Sequence, residues 1–153
     1  MKKIWWLVVL SVGIVLTPVC WRSYCNAKIV QAAYAHDDGG VKKWLRLGRY
    51  PNIRSSGASE MVVSVATKGK DETLSLLLSH GADPNVEADS GWTPLIAAVE
   101  ANRPSTVKLL LDSGADPNKA GASGRSPLSI AILNHEPDIV ALLKSHGAVG
   151  KSK

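Results

Sequence analysis

The sequence predicts an all-α solenoid, an array of stacked helix–turn–helix units preceded by an N-terminal apolar segment. Three observations carry that expectation. The pentamer Gly81-Ala82-Asp83-Pro84-Asn85 recurs 33 residues later as Gly114-Ala115-Asp116-Pro117-Asn118, and again, truncated, as Gly147-Ala148. The same step backwards from Gly81 reaches Gly48, which opens Gly48-Arg49-Tyr50-Pro51-Asn52, a worn copy. Between the pentamers, apolar residues recur at i, i+3 and i+4, the spacing of one helix face. A fixed period of this length marks stacked units, and such arrays generally present surfaces for binding other proteins.

Composition narrows the class. A chain of 153 residues allows one domain. Its 45% hydrophobic content without any Phe implies a core of Leu, Val, Ile and Ala. The net charge of +5 is misleading, because Lys2, Lys3 and Arg22 belong to the N-terminal segment and removing them leaves +2. No run of five like charges occurs in the remainder, so no nucleic-acid partner is expected.

Residues 1–25 are expected to be a signal peptide or a signal anchor. Lys2 and Lys3 precede an uncharged stretch from Ile4 to Trp21, closed by Arg22. That layout suits a secretory signal, and its length also suits a membrane-spanning helix. Small residues before a cut occur at Ser23-Tyr24-Cys25 and at Cys25-Asn26-Ala27. Pro18-Val19 before Cys20 fits a lipid-attachment site poorly. Cleaved, anchored and lipidated forms therefore stay open, and the positive flank at Lys2 and Lys3 favours a cytoplasmic N-terminus. The repeats would then lie outside, in the periplasm of a bacterium, either soluble after cleavage or held at the inner membrane, with an inverted, anchored form that keeps them cytoplasmic as the alternative topology. Cys20 and Cys25, the two cysteines, fall in this leader, and no disulfide is expected in the repeats.

The repeat domain is expected over residues 26–150, as four units at about 25–57, 58–90, 91–123 and 124–150. In the first, Ile29, Ala32 and Ala33 match Val62, Val65 and Ala66 of the second, and Val41, Trp44 and Leu45 match Leu74, Leu77 and Leu78. The second has Glu60-Met61-Val62 where the later units start their first helix, with its second helix plain in Leu74, Leu76, Leu77 and Leu78. The third is the clearest. Thr93 should cap its first helix with Pro94 in the first turn, burying Leu95, Ala98 and Val99. Asn102 should take a left-handed turn conformation, Pro104 should start the second helix with Val107, Leu110 and Leu111 inward, and Gly114 should end it. The fourth repeats this with Ser126-Pro127-Leu128 and with Ile139, Val140, Leu142 and Leu143. Its last residues, including Lys144, Lys151 and Lys153, suggest a polar cap on the stack.

The period, the Thr93-Pro94-Leu95 start, the Val107-x-x-Leu110-Leu111 second helix and the Gly-Ala-Asp-Pro-Asn turn resemble the ankyrin-repeat family, over roughly residues 25–150. The usual His after Thr-Pro-Leu is Ile96 here, and Ser129 in the next unit. The resemblance implies an L-shaped stack of helix pairs with projecting β-turn fingers and a concave surface that grips proteins.

Catalytic and metal-binding readings dissolve in the repeat frame, so no catalytic residue, no metal and no cofactor is expected. His80 and His146 share one position before a helix-ending glycine, where an imidazole can bond terminal carbonyls. Asp83 and Asp116 are turn formers. His36 and His135 share an inter-helix position three periods apart, too far to share a metal. In ankyrin proteins the fingers and the outer edge of the first helices make partner contacts. The resemblance places Arg54, Ser59, Glu87, Asp89, Ser90, Trp92, Lys119 and Arg125 in the fingers. Along the first helices it places Tyr34, Thr67, Lys68, Glu100, Ala101, Leu133 and Asn134. Trp92 and Arg125 correspond on adjacent repeats and are the residue types most enriched at binding hot spots.

The expected function is a non-enzymatic, exported protein binder, monomeric when free. Its small size and membrane-targeting leader look like those of bacterial immunity proteins that neutralise a toxin. The alternatives are a stabilising partner of a periplasmic enzyme and a membrane-tethered scaffold.

Overall fold

The structure, a computed structural model, describes residues 28, 31–32, 35, 38–46 and 56–150. Among the described residues the helices with defined bounds are α1 (Asp38–Arg46), α2 (Ser56–Thr67), α3 (Asp71–Ser79), α4 (Pro94–Glu100), α5 (Pro104–Asp112), α6 (Pro127–Leu133) and α7 (Pro137–Ser145). They form two layers. The first helices α2, α4 and α6 lie side by side, and the second helices α1, α3, α5 and α7 form the row behind them. Among the described residues the complete pairs are α2/α3, α4/α5 and α6/α7, with α1 as the second helix of an earlier unit. The segment from 1 to 25 lies outside the described residues, and among these no helix is long and apolar enough to cross a membrane.

Local chemistry sets each turn. The Thr93 hydroxyl oxygen accepts from Ile96 N–H at 3.2 Å, and Ser126 does the same for Ser129 at 3.2 Å. Each cap satisfies an amide the helix cannot, and Pro94 or Pro127 follows at a position that needs no N–H. Ser129 adds a bond of its own, donating to the Ser126 carbonyl at 2.7 Å, whereas Ile96 is buried.

The second helices end in one repeated device. Gly114 has φ +89°, its N–H bonds the Leu111 carbonyl at 3.1 Å, and Ala115 N–H bonds the Leu110 carbonyl at 3.0 Å. That pair of bonds is a Schellman turn. Gly81-Ala82 and Gly147-Ala148 form it again, which explains the Gly-Ala of the pentamer: glycine takes the left-handed conformation, and Ala82 and Ala115 tuck into the core. Between the two helices of a unit the same turn recurs at Gly69, Asn102 and His135, with φ +66°, +49° and +59°. Asn102 takes the left-handed conformation expected of it, and His135 holds the same position one unit later.

Core burial follows the helix period. Pro94 to Val99 are all buried, as are Val107, Leu110 and Leu111. Thr106 is also fully buried, and its hydroxyl donates to the Asp71 carboxylate at 2.5 Å across a repeat boundary.

One expectation needs correction. Ser59, expected in a finger, lies within α2, which begins at Ser56 and runs twelve residues where α4 and α6 run seven. Met61 stands where Pro94 and Pro127 fix a helix start, so nothing there halts the helix and it extends backwards. On the last unit several apolar residues stay open, and Lys151 and Lys153 of the expected polar cap lie outside the described residues. Of the fourth unit's second helix only Ile139 and Leu143 are buried, and Ile132, Leu133 and Val149 are 54, 60 and 63% exposed.

Candidate protein-binding face

Two fingers project ahead of α4 and α6. In one, Gly91 N–H bonds the Ala88 carbonyl at 2.7 Å and Ala88 N–H bonds the Trp92 carbonyl at 3.0 Å. In the other, Gly124 N–H reaches Gly121 at 2.8 Å and Gly121 N–H reaches Arg125 at 3.3 Å. The fingers are stitched together where Ala122 N–H donates to the Gly91 carbonyl at 3.1 Å. That approach needs a glycine: a Cβ on residue 91, at φ +75°, would stand 2.2 Å from the Ala122 Cβ.

Trp92 and Arg125 leave these stitched fingers at matching points. Trp92 is 38% exposed, and Arg125, Asp89 and Ser90 are exposed. Asp89 is positioned through its backbone, its N–H donating to the Glu60 carboxylate at 3.0 Å. Glu60 holds the place of the capping threonine, so in this unit a carboxylate on α2 props the next finger.

Thr67, Lys68, Glu100 and Asn134 fall in a second row, at the far ends of the first helices, and all four are exposed. Six residues separate Pro94 from Glu100, so along α4 the two rows stand about 9 Å apart. The Thr67 hydroxyl is turned onto its own helix, donating to the Val63 carbonyl at 2.8 Å. Leu133 continues the line of Thr67 and Glu100. Tyr34 and Arg54 lie outside the described residues.

Lys119, expected as a finger contact, is instead a strut. Its ammonium donates to the Asn85 carbonyl at 2.7 Å and sits 3.9 Å from Glu87. Arg103 was missed by the sequence reading. Its side chain lies over Gly69, where an added Cβ would be 3.0 Å from the Arg103 Cδ, and its Nε–H points to the Thr67 carbonyl at 3.5 Å. Only the missing side chain of Gly69, 34 residues earlier, could have signalled it.

Glu136, one repeat beyond Arg103, has the opposite charge. Burial, then repulsion from Glu100, holds its carboxyl above the ordinary glutamate value. Its Oε2 is buried with no hydrogen-bond partner. Asp112 is held below the usual carboxylate value by hydrogen bonds from Lys108 and then His146, the latter at 3.3 Å. The imidazoles of His80 and His146 sit on the carbonyls of Leu76 and Leu142, each at 2.9 Å. Asp83 and Asp116 accept from the N–H of Asn85 and Asn118, each at 2.8 Å. These side chains are occupied in the fold, and among the described residues no group of three or more His, Cys, Asp or Glu could hold a metal ion.

A two-layer stack of helix pairs with exposed residues on rigid fingers and helix ends defines a helical-repeat protein-interaction module. A family model described as ankyrin repeats, in three copies, matches residues 29–120 and 61–153. The chain belongs to the ankyrin-repeat family. The model describes a run of three repeats, one fewer than the four units read from the sequence, and agrees with the three complete helix pairs. No curated protein matches the chain.

Proposed function

We propose that this protein is an exported, non-enzymatic binder that blocks a protein partner by covering it with the finger row, and that the partner is a toxin effector, making the protein an immunity factor. The supporting observation is the exposure of Trp92 beside Asp89, Ser90 and Arg125 on fingers locked by the Gly91–Ala122 contact. A face already ordered before binding loses little conformational freedom on association. Steric occlusion needs no chemistry from the protein, which suits side chains otherwise consumed by the repeat. Lys2, Lys3 and the apolar stretch after them support the export part of this reading, with the repeats in the periplasm, soluble or held at the inner membrane.

The test is capture of the partner on the immobilised chain, with a Trp92→Ala/Arg125→Ala variant as the control surface. A captured protein that is toxic when exported alone, and harmless with this chain, supports the reading. Capture of a resident enzyme whose activity is preserved would replace it with a stabilising role. Export is checked by an alkaline phosphatase fusion after Lys153, and an inactive fusion would reject the periplasm.

A further inference from the structure

The final helix pair carries an apolar face that the repeat pattern marks as an interface. Ile132 stands in register with Val99 and Ala66, and Val140 with Val107 and Leu74. Those four earlier residues are fully buried, in helices that pack against the helices of the unit that follows. Ile132 is 54% exposed and Val140 is half-buried. Both line an open groove of about 520 Å³, together with Glu136, Pro137, Ala141 and Lys144. The surface thus continues the packing plane used between successive repeats.

The charges on this face are arranged for self-recognition. On α7, Glu136 at the N-cap and Lys144 in the last turn lie four residues before and four after Val140. At 1.5 Å per residue they are about 6 Å either side of it along the helix axis. An antiparallel copy of α7, related by a two-fold axis through Val140, therefore brings each Glu136 opposite the other chain's Lys144. The small Ala141 beside the axis permits close approach of the two helices, and Ile132 flanks the contact. Such an arrangement is isologous, so one patch satisfies both chains and closes at a dimer.

We propose that the face formed by Ile132, Val140 and Ala141 is a homodimer interface, in which α7 packs antiparallel on α7 of a second copy and two Glu136–Lys144 pairs set the register. The pairing leaves the fingers of both copies free, and it does not depend on the identity of the finger partner. It would replace the expectation of a free monomer.

The test uses the full chain in detergent solution with Cys20 and Cys25 changed to Ser. Val140→Cys puts a thiol on the axis and should give an oxidised dimer, whereas Ser123→Cys, on a finger, should not. Adding Glu136→Lys or Lys144→Glu should reduce the cross-linking rate by at least about tenfold, since like charges would face each other. The double exchange Glu136→Lys/Lys144→Glu should restore it. Circular dichroism of each variant identifies any that fail to fold, and the double exchange then decides. Equal cross-linking at positions 123 and 140, absence of a dimer, or indifference to charge reversal would overturn the proposal.

Discussion

Asn85 is bound to Asp116 across a repeat boundary: its side-chain oxygen accepts from the Asp116 N–H at 2.7 Å while its amide donates to the Gly114 carbonyl at 3.0 Å. Asn118 makes the same two bonds one period later, to Val149 N–H at 2.9 Å and to the Gly147 carbonyl at 3.1 Å. Each asparagine ties the end of one second helix to the next. Asn85→Ala frees a donor and an acceptor at once, in a half-buried site, and is expected to cost about 1–2 kcal/mol in urea unfolding. An unchanged midpoint would show that water replaces both bonds without loss.

Gly91 and Gly114 both have positive φ, but their surroundings differ. Nothing lies within 4 Å of a Cβ placed on Gly114, whereas one on Gly91 meets Ala122. Gly114→Ala should cost roughly 1–2 kcal/mol, the penalty of the left-handed conformation. Gly91→Ala adds a clash and should cost roughly 2–4 kcal/mol. Thermal melts of the two variants give the comparison, and equal losses would mean that the fingers part freely.

Glu136 has a raised carboxyl pKa, through burial and then Glu100. The native state holds this proton more tightly than the unfolded chain, so the fold is penalised as pH rises through the ordinary value of 4.5 and beyond. In dilute solution, where the chain is monomeric, Glu136→Gln is expected to unfold at higher denaturant than the parent at pH 7, the gain shrinking as pH falls through the raised native value and vanishing below 4.5. A constant difference at all pH values would assign the effect to packing.

Asp112 has the opposite sign. Lys108, then His146, favours its ionised form, so its contribution is present above the ordinary value of 3.8 and is lost as pH falls through the lower native value. Asp112→Asn should be less stable than the parent at pH 6, and the two curves should converge in acid. Divergence on acidification would contradict the assignment.

Trp92→Ala with Arg125→Ala should weaken the partner complex by at least ~2 kcal/mol, the scale of a hot spot. Both side chains are exposed, so the melting temperature of the free protein should hardly move. Unchanged affinity with an intact fold would remove this pair from the interface.

Much of the fold was legible because its determinants are local. A cap reaches three residues, an Asx turn two, and a Schellman turn five, so Thr93, Asp83 and Gly114 declare their roles within a short window. The finger positions of Asp89, Ser90, Trp92 and Arg125 were legible through the family resemblance. Lys119, Arg103 and Glu136 were not, because their environments come from other repeats. Lys119 reads as a finger charge until the fold brings the Asn85 carbonyl beneath it. Arg103 reads as a turn residue until Gly69 gives it a surface to lie on.

The sequence alone determined the unit: its 33-residue length, its two helices, the residues that stop each one and the apolar positions that must be hidden. Those follow from backbone geometry and hydrogen bonds between near neighbours, which every repeat restates. The tertiary structure decided what each unit meets. It drew α2 back over Ser59 for want of a proline, set Glu100 against Glu136, and left Ile132 and Val140 open at positions that earlier repeats cover. Burial is a property of stacking: the same residue at the same point of the period is core or surface according to whether a neighbour is packed upon it.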